Sequence, residues 1–426
     1  MSARSASSTE SLPQTARQAV ESACSRVDEA TESDRVDGVQ PALVARPAST
    51  EEVAEVMRAA AAHELAVVPR GRGTKMSWGR APSRADLVVD VGGMDRVLDH
   101  AAGDLVVATQ AGARLSDVQD VVGSARQRLA VDEMVPGASI GGTMAAATSG
   151  PGRVATGTMR DLLIGVTVVR ADGVVAKAGG RVVKNVAGYD LGKLMIGSFG
   201  TLGVVTEALF RLHPVPAARR FISVPVTGPA QAHELTQAVV HSQVVPGAVE
   251  LSWADGGGTL TVLLEGVPEG VAGRAAAALE LLGASAGESE TTPEGWAGYP
   301  WPLDARGDDR HVALKLSFAL SGLSDVLTAV QESGVPMALR GSTGAGVVYA
   351  AIPETTDVTA VAAAVERLRS VCSGHGGSLV VLDAPTAVKQ GVDTWGPVPA
   401  LGLMRRVKDQ FDPDHRLAPG RFVGGI

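Results

Sequence analysis

Cysteine is nearly missing from this chain. Cys24 and Cys372 are the only two, they lie far apart, and they belong to no CxxC or Cys/His cluster, which excludes an iron–sulfur or zinc centre built from this chain's cysteines. Aromatic residues are also scarce, with five Trp, three Tyr and six Phe. The eight histidines show no ligand spacing. The run Gly374-His375-Gly376-Gly377 offers one imidazole, which cannot build a metal site and reads as a loop residue. An excess of positive charge is absent as well: 38 basic against 46 acidic residues leave a net charge of −8, which speaks against nucleic acid as a partner. The first 20 residues lack the apolar core of an export signal, so a cytoplasmic location is expected. The longest window without a charge, residues 134–152, is interrupted by glycines and prolines and reads as a folded loop and helix, not a membrane span.

Glycine, by contrast, is abundant: 51 of 426 residues, well above the usual ~7%. Much backbone must therefore turn tightly or lie close to a ligand. The length exceeds what one core usually serves, so two domains are expected. Residues 1–39 are polar and read as a tail with at most a helix over 14–30. Residues 40–215 form the first domain. It opens with a β-α-β unit: an apolar run at 42–45, a capping-box-like start at Ser49-Thr50-Glu51-Glu52, an alanine-rich helix to about 63, and a strand over 65–68. Further strands are expected at 87–91, 105–109, 162–170, 174–178 and 203–212, with Ser116 as the N-cap of a short helix. Residues 216–395 alternate strands and helices roughly twice over and form a second α+β domain. Residues 396–426 supply a closing helix and a tail.

Four glycine-rich blocks can carry chemistry. Arg70-Gly71-Arg72-Gly73-Thr74 follows a strand, where successive small residues let backbone N–H groups converge on an anion. It is no Rossmann fingerprint, because the third glycine would fall on Met76, and no P-loop, because G-K-[ST] is absent. Taken alone it could be a plain glycine turn. Pro136-Gly137-Ala138-Ser139-Ile140-Gly141-Gly142-Thr143 enters a helix of small residues, leaving room for a phosphate and a flat ring. Gly157-Thr158-Met159-Arg160-Asp161 precedes a strand. The segment from Gly179 through Lys184 and Tyr189 to Leu191 precedes Gly197-Ser198-Phe199-Gly200-Thr201-Leu202-Gly203-Val204-Val205-Thr206-Glu207.

In this order and spacing, residues 40–215 and the C-terminal tail resemble the FAD-binding domain of the vanillyl-alcohol oxidase and p-cresol methylhydroxylase (PCMH-type) superfamily. Within it, the stretch from Gly179 to Glu207 is similar to the FAD-binding (E) subunits of glycolate oxidase, the three-subunit glycolate dehydrogenases. The resemblance implies an α+β fold: a PCMH-type domain of two α+β subdomains, a second domain built as a ferredoxin-like repeat, and a C-terminal return to the FAD domain. It implies that Arg70, Gly71, Arg72, Gly73 and Thr74 wrap the pyrophosphate. Pro136, Gly137, Ser139, Ile140, Gly141, Gly142, Thr143 and Gly150 would line the adenosine and flavin side. Arg160, Asp161, Gly203, Val204 and Val205 would close over the ring or the ribityl chain. No histidine stands where relatives attach flavin covalently, so noncovalent FAD is expected. The family tail reads N-P-G-R, and here Ala418 replaces the Asn.

The implied activity is oxidation of glycolate, a small 2-hydroxy acid, to glyoxylate. A catalytic flavin subunit and an iron–sulfur subunit would be the partners and would bring this chain to the inner membrane. No general base is assigned. Tyr189 and Lys184 are candidates, with a structural role at the flavin edge as the alternative. A stand-alone hydroxy-acid or alcohol dehydrogenase and a scaffold that has lost FAD remain open.

Overall fold

The computed structural model describes residues 12–180 and 190–426. Its first layer is a four-stranded sheet in the order Val27–Glu29, Leu43–Ala45, Leu87–Asp90, Val67–Arg70. The last three strands are parallel, as the β-α-β reading requires. The helix Thr50–Ala62 starts where Ser49 accepts a hydrogen bond from the Glu52 N–H at 3.2 Å. Its buried residues Val53, Val56, Met57 and Ala60 recur at the spacing of one helical face and meet Leu87 and Val89 in the core.

The N-terminal segment departs from expectation. The helix Gln14–Ala23 ends at an extended Cys24, and Val27–Glu29 pairs antiparallel with Leu43–Ala45. Residues 12–39 therefore belong to the first sheet layer and are not a tail. The helix is amphipathic, and Ala16 and Val20 are fully covered. Ser116 is a second difference: the N-cap of the helix Leu115–Gly123 is Arg114, two residues earlier, with no side-chain cap.

The second layer is a five-stranded antiparallel sheet in the order Val97–Ala101, Val106–Gln110, Val204–Arg211, Leu163–Val169, Val175–Gly179. Val204–Arg211 alternates buried and half-buried residues along its length, as a strand with one covered face must. Phe210 and Ala208 meet Leu115, Val118 and Val122 of the helix behind the sheet.

Residues 218–383 form an eight-stranded antiparallel sheet. Its strands and helices follow the order βαββαβ twice. Within each half the spatial order is fourth, first, third, second strand, and the halves join through their second strands, Ala248–Ala254 against Ala338–Ser342. This is the expected ferredoxin-like repeat.

Buried charges and rings fasten this domain to the first. Arg310 reaches Asp37 at 3.1 Å and Asp383 at 2.6 Å, and Lys389 reaches both acids at 2.9 Å. Two acids and two bases balance, so no charge is left buried alone. Trp78 meets Tyr299 edge-on at 5.6 Å. After the helix Leu401–Phe411 the tail returns to the first sheet: Val67 N–H donates to the Arg416 carbonyl and Ala418 N–H to the Val67 carbonyl, both at 2.8 Å. The fully buried Lys408 ammonium anchors this return on Asp412 at 2.6 Å and on the carbonyls of Thr201 and Leu417. Ala418 adopts φ +42°, a left-handed conformation that Asn tolerates better than Ala.

Candidate functional site

A cleft of about 770 Å³ opens where the parallel strands of the first sheet end and the second sheet begins, the position at which open α/β sheets receive ligands. One wall is the loop leaving the strand Val67–Arg70. The other is the start of the helix Ile140–Ala146, and the floor is Gly203-Val204-Val205 entering the strand Val204–Arg211.

The arginines of the loop do not reach into free space. The Arg70 guanidinium is held by Asp34 at 2.8 Å and Asp90 at 2.9 Å. Arg72 donates to the Gly112 carbonyl at 3.1 Å and pairs with Asp95 at 3.0 Å. Both therefore fix the loop and leave its main chain to face the cleft. The contact that matters is between Gly71 and Ser139: a Cβ on Gly71 would overlap the Ser139 Oγ. That Oγ caps its helix by accepting from Gly142 N–H at 3.2 Å and also lies 3.4 Å from Arg72 N. Gly141 packs as closely, since a Cβ there would lie 3.0 Å from that of Ala111. Gly73 sits at φ +72°, which side chains other than glycine rarely adopt.

Lys75 is the charge inside the cleft. It is 8% exposed, and its Nζ donates to Thr74 Oγ1 at 3.1 Å. Burial pulls its pKa down to about 8, with Glu133 resisting. Arg421, from the C-terminal tail, is buried beside it. It donates to the carbonyls of Lys75 at 3.0 Å, Met76 at 2.7 Å and Trp78 at 3.2 Å. Burial lowers its pKa to about 10, and it holds the loop in place from behind. Val91, Ala111, Ala145, Ala146 and Val204 give the rest of the cleft a small-residue apolar lining. Main-chain donors, one under-partnered cation and flat apolar walls suit a dinucleotide with a ring system.

Of the residues singled out in the sequence, the structure brings Arg70, Gly71, Arg72, Gly73, Thr74, Ser139, Gly141, Gly142, Gly203, Val204 and Val205 to this one cleft. It sets the others elsewhere. Pro136 lies outside the lining, and Gly137 sits at φ +73° in a turn closed by Glu133. Ile140 points into the core. Thr143 is buried with its hydroxyl unpartnered. Gly150 packs on Asp132 and Met134 at a second, smaller cavity. Arg160 and Asp161 do not close over the cleft. Asp161 accepts from the N–H and hydroxyl of Thr158 in a capping box, and Arg160 is exposed, its Nη1 3.4 Å from the Lys193 carbonyl. Lys184 and Tyr189 lie outside the described residues. His375 closes the helix Val358–Gly374 and bonds Asp325 at 2.9 Å. No group of three or more potential metal-ligating side chains occurs among the described residues, and no helix among them is long and apolar enough to cross a membrane.

Reading the sequence missed the roles of Lys75 and Arg421. Lys75 directly follows the glycine loop, so its position carried a signal; Arg421 becomes relevant only through the folding back of the tail.

Residues 41–179 match the family described as FAD binding domain. The chain is 30% identical over 211 residues to the glycolate oxidase subunit GlcD of Bacillus subtilis, covering 49% of this chain and 45% of that one. It is 34% identical over 209 residues to a mitochondrial D-lactate dehydrogenase [cytochrome] 1 of Saccharomyces cerevisiae, covering 47% and 35%. It is 36% identical over 188 residues to a D-2-hydroxyglutarate dehydrogenase of Xanthomonas citri, covering 43% and 40%. The matches thus span less than half the length of these relatives. In three dimensions the chain resembles alkyldihydroxyacetonephosphate synthase, with a TM-score of 0.64 over 90% of this chain and 78% of that one at 16% identity, a likeness of fold. The chain carries an FAD-binding domain of the PCMH type, and FAD is its cofactor.

Proposed function

We propose that this chain is a flavin-linked oxidoreductase acting on the CH–OH group of a small 2-hydroxy acid of the glycolate type, and that FAD occupies the cleft between Gly71 and Ser139. The observation that carries the reading is the coincidence of this main-chain-walled cleft with the segment that matches the FAD binding domain. The names of these three relatives, a glycolate oxidase subunit, a D-lactate dehydrogenase and a D-2-hydroxyglutarate dehydrogenase, support the substrate class. FAD, when bound, supplies the acceptor for two electrons from the substrate carbon.

The chain's own groups bind and orient. The N–H groups of Gly71 to Thr74 take the pyrophosphate, Lys75 adds a charge to it, and Ala145, Ala146, Val204 and Val205 flank the rings. Among the described residues, neither His, Cys nor Tyr lines the cleft, which supports noncovalent attachment. As the similarity to a glycolate oxidase subunit suggests, the chain works beside a catalytic flavin subunit and an iron–sulfur subunit that pass electrons on.

Anaerobic addition of glycolate, D-lactate or D-2-hydroxyglutarate to the complex purified with its native partners is expected to bleach the flavin and reduce an added dye; a flavin that stays oxidised with every acid contradicts the reading. Turnover by the isolated chain would instead identify a stand-alone dehydrogenase. Gly71→Ala is expected to weaken FAD retention by roughly tenfold or more, because Ser139 and its helix must shift; a tenfold loss corresponds to ~1.4 kcal/mol. Unchanged occupancy on gel filtration would remove FAD from this cleft. Lys75 gives a pH test. A phosphate beside the ammonium raises its pKa above the value of about 8 in the free protein, so FAD binding takes up a proton at high pH. Affinity is then full below pH 8 and falls as pH rises above it, and Lys75→Met flattens that fall. A wild-type titration with no slope above pH 8 contradicts the placement.

A further inference from the structure

A groove of about 780 Å³ lies behind the FAD cleft, between residues 193–202 and the helix Leu401–Phe411. Leu194, Ile196, Leu202, Met404, Val407 and Phe422 give it an apolar lining, and Leu403 stands beside them 55% exposed. A concave apolar site of this size suits a small molecule. Few polar groups are free to face it. The hydroxyls of Ser198 and Thr201 donate to the carbonyls of Met195 at 2.9 Å and Ser198 at 2.7 Å, and Lys193 pairs with Asp190 at 3.2 Å. Arg160, also in the lining, makes no ion pair among the described residues; its neighbour Asp161 is occupied by Thr158. The groove therefore offers apolar walls and one guanidinium with donors to spare.

A single chain segment separates this groove from the cleft. Ser198 belongs to the lining of both. Next to it, Phe199 lines the cleft and Phe422 the groove, and their rings stack at 5.6 Å and 23°. Trp395 stands edge-on to both, at 5.0 and 4.8 Å. In a chain with few aromatic residues, three of them thus form the partition. Phe199 has φ +53° between Gly197 at +79° and Gly200 at +74°. A bulky side chain adopts that conformation only where its surroundings enforce it, and such residues gather at functional sites. The enforcement is visible: Gly197 N–H donates to the Met144 carbonyl at 2.9 Å and Phe199 N–H to the Ala145 carbonyl at 3.0 Å, which ties the partition to the helix that walls the cleft. Packing alone accounts for the rings but not for the uncovered apolar groove beside them.

We propose that this groove binds a quinone that reoxidises the flavin: its ring lies against Phe422, its apolar tail along Met404 and Val407, and Arg160 donates to a carbonyl oxygen. Two electrons cross the Phe199–Phe422 partition from the reduced flavin to the quinone. The flavin loses two protons to solvent, the quinone takes up two at the exposed side of the groove, and quinol and oxidised FAD result. This rests on the flavin reading above and names the electron acceptor, by a route that needs no partner subunit. A fatty acid would match the cation and the apolar walls as well; the stacked rings that lead to the cofactor cleft favour a redox-active ligand.

The test uses the full FAD-loaded chain, its flavin reduced by light with no hydroxy acid present. Reoxidation by decylubiquinone is followed by stopped flow, and quenching of tryptophan fluorescence in the oxidised protein reads binding separately. Both are expected to saturate over the same range of quinone concentration. Met404→Glu should raise the half-saturating concentration roughly tenfold, because a hydrated carboxylate replaces an apolar contact, with FAD content and reoxidation by ferricyanide unchanged. If Met404→Glu does not fold, the surface variant Leu403→Glu carries the comparison. Reoxidation that rises linearly with quinone and is the same in the variants means that quinone meets the flavin from solvent, and overturns the groove. Saturable binding of decanoate without binding of decylubiquinone makes the groove a fatty-acid site and equally overturns the proposal. Both results leave the flavin reading standing. Saturable, Met404-dependent reoxidation in a protein that no hydroxy acid reduces keeps the quinone site and removes the proposed substrate.

Discussion

The close approach of Gly71 to Ser139 is the constraint on which the rest of the site depends. The loop after the strand Val67–Arg70 and the start of the helix Ile140–Ala146 meet so closely that a Cβ on Gly71 would overlap the Ser139 Oγ. The surrounding charges keep that arrangement from collapsing. Asp34 and Asp90 hold Arg70 at one end of the loop, Asp95 and the Gly112 carbonyl hold Arg72 in its middle, and Arg421 grips the carbonyls of residues 75, 76 and 78 at the other end. Cations that look like phosphate ligands in the sequence act here as fasteners, and the proposed placement leaves the anion to backbone and Lys75. A preorganised loop of this kind binds without an ordering cost at the moment of association.

The second domain completes the molecule by closing a small chamber next to the cleft. The Asp37–Arg310–Asp383–Lys389 cluster and the Trp78–Tyr299 contact fix its position, so the groups at the junction stand at defined distances from the first domain. At that junction the Arg153 Nη1 and the Glu250 Oε1 are both buried without a hydrogen-bond partner, and burial raises the Glu250 pKa to about 8.

Much of the first domain was legible in the sequence because its signals are local. Ser49 before an alanine-rich amphipathic run dictates a capped helix, and glycine runs after a strand dictate a turn with exposed amides. Strands such as Ala248–Ala254 and Ala338–Ser342 were not legible. The first mixes Glu250 and Ser252 into an apolar run, and the second contains Arg340 and Gly341; only their pairing across the two halves of the repeat makes them strands. The site divides the same way. The glycine loops announce themselves, whereas Arg421 and the Arg153–Glu250 chamber exist only through contacts between residues far apart in the chain. Arg160-Asp161 misled for the opposite reason: its local capping chemistry with Thr158 fully accounts for the pattern.

The most direct measurement is the flavin content of the purified full chain before and after denaturation. One FAD per chain, released into solution on unfolding and taken up again on refolding with added FAD, is the result the account predicts. A colourless protein that ignores added FAD, or a flavin that stays attached to the denatured chain, would contradict it.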